Sequence, residues 1–189
     1  MKAPASLLAA LLTLAAPAMA QSQPAVPPAG PTAFGTALQL TRAAATFDST
    51  YFYPATYQFT IKIPPEAQQA LARVTIALPD NYGPAGGQLP DPRAVTAFLP
   101  TEPEAQRPQS PERLLPARVR LENQAVVIDF NEPVPAGQIL TVQFDQMRNP
   151  RLGGTYLFDV NALPAGPRPV SQFVGFGRLV FREGGFRFP

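Results

Sequence analysis

The chain has 189 residues, a formal net charge of +2, and no cysteine, histidine or tryptophan. Those absences exclude disulfides, zinc sites of the usual Cys/His kind, haem ligation by histidine and imidazole catalysis, so neither a Ser-His-Asp triad nor a Cys-His dyad can be assembled. The small charge is no nucleic-acid footprint, and it rests on arginine, with lysine only at Lys2 and Lys62.

The first twenty residues read as a signal peptide. Lys2 supplies a positive start, Leu7 to Ala16 an apolar stretch, and Ala18-Met19-Ala20 a cleavage site ahead of Gln21. The apolar run is shorter than a membrane span and is broken by Pro17. No second apolar stretch of spanning length follows, and no cysteine offers lipid attachment. The expected location is therefore periplasmic or extracellular. Residues 21–32, with four prolines between Gln21 and Pro31, read as a Pro/Ala-rich flexible leader.

From Ala33 the chain turns apolar and periodic. Tyr57, Phe59, Ile61 and Ile63 alternate with Gln58, Thr60 and Lys62, the period of a half-buried strand. Pro64-Pro65 stops it, and Pro65 to Leu71 predicts one short helix. Strands follow over Arg73–Leu78, around Val95 to Phe98, over Arg118–Glu122 and over Ala125–Phe130, the last two joined by an Asn123-Gln124 hairpin. Residues 100–116 carry five prolines and predict a long surface loop. Asn131 to Gly137 reads as a proline-rich corner. Further strands are expected over Ile139–Phe144, Thr155–Val160 and Gly177–Phe181, and residues 185–189 as a tail. About eight short strands with one short helix predict an all-β fold, an antiparallel β-sandwich (Ig-like), spanning residues 33–184.

The run DFNEPVPAGQILTVQFDQMRNPRLGGTYLF (129–158), the closing SQFVGFGRLVF (171–181) and the early YPATYQFTIKIP (53–64) and LARVTIALP (71–79) resemble a family of exported single-domain proteins of unknown function found chiefly in cyanobacteria. The resemblance implies an exported β-rich domain and transfers no catalytic residues. The order P-A-G, strand, G-T-Y-L-F-D-V also looks like the last two strands of small periplasmic copper-carrying sandwiches. Their copper is held by an N-terminal amine and histidines, with methionines in some members. This chain has no histidine, and Met147 is the one methionine after processing, so that metal site is missing.

Four groups of residues bear on function. Asp129, Asp145 and Asp159 are candidates for the paired carboxylates of a glycosidase. Asp80, Asn81 and Asp91 are candidate calcium ligands, but they lack the spacing of a calcium loop and read better as a turn. Tyr51 and Tyr53 could form an aromatic platform, whereas alternation assigns Tyr57 to the core. Arg148, Arg151 and Arg178 belong to an arginine-rich last quarter and could meet an anionic ligand. Alternatively, Arg148 and Arg151 are pegs that pair with Asp145 and Asp159 and stiffen the turn, and the sequence leans toward pegs. Asn149-Pro150 is read as a turn initiator. The expected function is a binding or scaffolding module of the cell envelope, taking a glycan or protein partner, without cofactor or enzymatic activity. The alternative is a carboxylate-dependent hydrolase acting on envelope polysaccharide.

Overall fold

Alternation between water-facing and buried side chains is carried through in strand after strand. In a computed structural model, whose described residues are 30–100 and 112–183, β2 (Ala55–Lys62) buries Ala55, Tyr57, Phe59 and Ile61 and turns their neighbours outward. The other strands are β1 (Gln39–Ala45), β3 (Leu71–Ala77), β4 (Val95–Pro100), β5 (Glu112–Leu114), β6 (Ala117–Glu122), β7 (Ala125–Val134), β8 (Ile139–Met147), β9 (Gly154–Pro164) and β10 (Gln172–Phe181). They form two five-stranded antiparallel sheets, ordered β1-β2-β8-β4-β5 and β10-β9-β3-β7-β6.

The sandwich expected from the sequence is present, with ten strands rather than eight. β1 was missed because Thr41-Arg42-Ala43-Ala44 shows weak alternation; the strand sits at a sheet edge and its ladder with β2 shifts register between Leu40 and Arg42. β5 lies inside the proline-rich segment and is a three-residue edge strand paired with Phe98 to Pro100. The short helix over Pro65 to Leu71 is corrected to a single 3-10 turn, Pro65–Ala67. Gln68 enters the left-handed region (φ 63°) and ends it, and β3 takes Leu71. A second such turn, Pro92–Ala94, is capped by Asp91, whose carboxylate accepts from the Arg93 amide at 2.9 Å. The Asn131–Gly137 corner is shorter than expected, because β7 continues to Val134. Asn123 and Gln124 both have positive φ (47° and 61°), the hairpin turn read from the sequence. The expected signal peptide and nearly all of the leader (residues 1–29), most of the long loop (101–111) and the tail lie outside the described residues.

Aromatic rings from both sheets fill one part of the core. Tyr57, Phe59 and Phe144 of the first sheet meet Tyr156, Phe158 and Phe181 of the second, with Tyr82 from the β3–β4 connection. Centroid separations run from 5.4 Å for Phe59–Phe158 to 6.2 Å for Tyr57–Phe158. Such pairs contribute about 0.5–1.5 kcal/mol each beyond their area. Gly177 lets edge strand β10 close onto this cluster: a Cβ there would lie 2.5 Å from the Phe59 ring and 3.4 Å from Ala43 Cβ.

The connections gather at two poles. One holds the β1–β2, β3–β4 and β8–β9 connections and the end of β10. At the other, Thr32 bridges Pro169 in the β9–β10 connection. Its amide donates to the Arg168 carbonyl (3.2 Å), and its carbonyl accepts from the Val170 amide (2.8 Å).

Gly177→Ala should cost about 1–3 kcal/mol through overpacking against Phe59. It should lower the urea midpoint with an unchanged m-value; an unchanged midpoint would show that β10 does not need this approach.

Candidate functional site

β8 leaves its sheet at the buried Met147, and Arg148 to Gly153 carry the chain across to β9. Asn149 in this crossing has no exposed surface. Its Nδ2 donates to the carbonyls of Phe47 (2.9 Å) and Ser49 (2.8 Å), and its Oδ1 accepts from the Tyr57 hydroxyl at 2.8 Å. Only this orientation works, because two carbonyls require the amide's donor side. The Asn149 amide N–H donates to the Phe52 carbonyl at 3.0 Å. One residue therefore fastens the β8–β9 crossing to both ends of the β1–β2 connection.

Tyr57 donates inward to Asn149, so its oxygen is left to accept from Tyr82, 3.1 Å away. The Tyr82 proton is shared with the Arg148 carbonyl at 3.3 Å. Burial raises both phenols, Tyr57 far above the usual range and Tyr82 to about 12. Gly87 makes room for this network, since a Cβ there would stand 2.5 Å from the Tyr82 ring. The Arg151 amide donates to the Ala85 carbonyl at 2.7 Å, and Gly86 (φ 77°) packs against the Arg151 side chain.

On this base sits an exposed ledge. Tyr51 adopts φ 60°, its amide donating to the Pro150 carbonyl at 2.9 Å, and its side chain is directed to solvent (52% exposed). Tyr53 stands beside it (46% exposed) and donates its hydroxyl proton to Gln146 Oε1 at 3.0 Å. The Arg148 guanidinium carbon lies 5.1 Å from the Tyr51 centroid and 4.7 Å from that of Tyr53, and Arg151 lies 5.2 Å from Tyr51. The end of β10 closes the flank: the Thr50 amide donates to the Arg182 carbonyl (2.9 Å), and the Arg182 guanidinium faces Asp48 at 3.5 Å.

Of the candidate ligand residues, the structure brings Tyr51, Tyr53, Arg148 and Arg151 together. Arg178 is apart from them, outward on β10 opposite Leu157. The peg pairing is corrected. Among the described residues, no ion pair joins Arg148 or Arg151 to Asp145, Asp159 or any other carboxylate. Asp159 lies five residues into β9 from Gly154, about 16 Å along the strand. Asp145 accepts from Thr56 (2.8 Å) and from Gln143. The arginines lie over tyrosine faces instead.

The three aspartates do not converge. Asp145 is on the first sheet, whereas Asp129 and Asp159 lie on the second, opposite Arg73 and Ala77 of β3 respectively. Four residues of strand separate those two positions by about 13 Å. Burial pushes the Asp129 carboxyl up, but hydrogen bonds from Arg73 and Arg120 outweigh it and hold the group below its ordinary range. Asp80 and Asn81 occupy the turn before Tyr82, and Asp91 caps its 3-10 turn. Among the described residues, no three metal-capable side chains cluster.

Sequence reasoning did not find Asn149 as a hub or Tyr82 as its second neighbour. An Asn-Pro pair between strands reads as turn chemistry, and Tyr82 lies in a Pro-Asp-Asn-Tyr-Gly turn. The signal for Tyr82 was Gly86-Gly87, a glycine pair of the kind needed where backbone passes over a ring.

Asn149→Ala strands the Tyr57 hydroxyl and two carbonyls and should cost about 2–5 kcal/mol in urea unfolding. Alkaline pH should destabilise the native chain. The unfolded phenols ionise near pH 10 while Tyr57 and Tyr82 stay protonated in the fold. Their stabilisation is thus complete below pH 10 and is lost above it, by about 1.4 kcal/mol per pH unit for each tyrosine. The loss from Tyr82 levels off near its folded value of about 12. Tyr57→Phe should make the decline shallower by one proton's worth, as read from unfolding midpoints between pH 9 and 11.

Several solved structures are similar to this chain at low identity. A structure of manganese lipoxygenase of Gaeumannomyces graminis with partial zonadhesin of Komagataella pastoris superposes with a TM-score of 0.49 at 11% identity, covering 76% of this chain and 48% of that one. This chain therefore spans about half of that chain's length. BslA, a bacterial hydrophobin, gives 0.42 at 12% identity over 78% and 95% of the two chains. The collagen-binding domain of a Staphylococcus aureus adhesin gives 0.33 at 10% identity over 70% and 96%. None of the curated proteins matches the sequence. The family described as protein of unknown function (DUF2808) matches residues 31–181, which take in all ten strands, and the chain belongs to that family.

Proposed function

We propose that this chain is an exported binding module of the cell envelope whose ledge takes an acidic glycan. The observation that carries the reading is the pair of guanidiniums, Arg148 and Arg151, laid over exposed tyrosine faces with no carboxylate paired to either among the described residues. A guanidinium held over a ring face by cation–π attraction still has N–H groups to offer a carboxylate or phosphate. The adjoining tyrosine surface supplies an apolar face with a polar tip, which suits a sugar ring. The base below is fixed by the buried bonds of Asn149, so little ordering accompanies binding. Export rests on the leader: Lys2, the Leu7–Ala16 stretch and Ala18-Met19-Ala20. Among the described residues, no helix is long and apolar enough to cross a membrane.

Calorimetric titration with oligogalacturonate should show binding that weakens as salt is raised. Arg148→Ala with Arg151→Ala should reduce affinity by about tenfold or more, a loss of about 1.4 kcal/mol. Tyr51→Ala with Tyr53→Ala should weaken binding to both acidic and neutral oligosaccharides. Equal affinity in the double arginine variant would sink the ledge as the site. Mass spectrometry of the protein taken from whole native cells should find Gln21 first; a retained Met1 would remove the export half of the proposal.

A further inference from the structure

The second sheet turns an apolar face to water at the end away from β6. On β10, Phe173, Phe176, Arg178 and Val180 point outward, opposite Asn161, Asp159, Leu157 and Thr155 of β9. Simple alternation would send Phe173 and Phe176 to opposite faces. The register shift between Phe173 and Gly175 instead turns Val174 against the core and leaves both phenylalanines outside. They are 49% and 57% exposed, with ring centroids 4.9 Å apart, and Leu157 and Val180 extend the patch. Ala77 of β3 and Ala125 of β7 border the patch beside Asp159 with small side chains, and beyond them the face carries the Arg73–Asp129–Arg120 ion pairs.

Two opposite charges stand within this patch, and neither takes part in an ion pair among the described residues: Arg178 and Asp159. They are diagonal neighbours on adjacent strands, with Cβ atoms about 7 Å apart. We propose that this face joins two copies of the chain in a two-fold dimer. A two-fold axis lying in the plane of the face, midway between the two residues, sets Arg178 of each copy against Asp159 of the other. With the axis perpendicular to the line joining the two residues, the same operation sets Phe176 of one copy beside Phe176 of the other. A two-fold interface must be complementary to itself, and a patch with one cation, one anion and apolar surroundings meets that condition. The patch lies on β9 and β10, about 10 by 35 Å or roughly 350 Å² per copy, so the dimer is a weak, concentration-dependent one. The surface is separate from the tyrosine–arginine ledge, so the two proposals stand or fall independently.

Sedimentation velocity of the purified protein from micromolar to near-millimolar concentration tests this. The expected result is a concentration-dependent doubling of mass. Phe173→Ser with Phe176→Ser, both outward and outside the core, should leave a monomer with native circular dichroism. Arg178→Asp should weaken the dimer about tenfold, and adding Asp159→Arg should restore it because the pair is only exchanged. A monomer at every concentration overturns the proposal. So does a dimer indifferent to Arg178→Asp, or one that the charge exchange does not rescue. A monomer retained on phosphatidylglycerol vesicles through the two phenylalanines would reassign the face to a membrane and overturn it as well.

Discussion

A single buried amide holds the ledge end of this sandwich together. Buried polar groups persist when each donor and acceptor is satisfied, and Asn149 meets that condition from one position in a six-residue crossing between the sheets. Its side chain reaches the backbone on the approach to Tyr51, while its main chain holds the backbone just beyond at Phe52. The conformation of the exposed tyrosines is thus set from beneath by a residue that no ligand can touch. The same bond to Tyr57 links the loops to the aromatic core, so the rigidity of the surface derives from the packing of the interior.

Much of the fold was legible because alternation is a backbone property. Side chains of successive strand residues point to opposite faces whatever the tertiary context, so Tyr57, Phe59 and Ile61, or Tyr156 and Phe158, declare their burial directly. Edge strands declare less. β1 carries Arg42 and three consecutive alanines, and β5 is three residues long within a proline-rich stretch; both gain their strand identity from a partner rather than from their own pattern. The 3-10 turn at Pro65 had the start of a helix and no length in which to bury one.

The site was legible in its parts and not in its connections. Tyr51, Tyr53, Arg148 and Arg151 were recognisable as chemistry-bearing residues, and the loops bring those four together. What joins them runs between positions about a hundred residues apart in sequence, such as Asn149 with Phe47 and Ser49, and no local pattern reports such contacts. The presumed partners of the arginines failed for a related reason. Asp145 and Asp159 are near Arg148 and Arg151 in sequence, but an extended strand carries neighbours apart quickly, and β9 removes Asp159 from the turn. Tyrosines from a different connection take the place that nearby carboxylates were expected to fill.

Thr32 and the ledge occupy opposite poles of the same strands. A load applied between the leader and a ligand held at Tyr51 would therefore run along the strands, with β9 alone spanning eleven residues, about 35 Å. Antiparallel ladder bonds lie across that direction, so tension meets many of them in shear at once instead of peeling them one by one. The Thr32 bridge at one end and the exposed tyrosines at the other thus lie on an axis parallel to the strands.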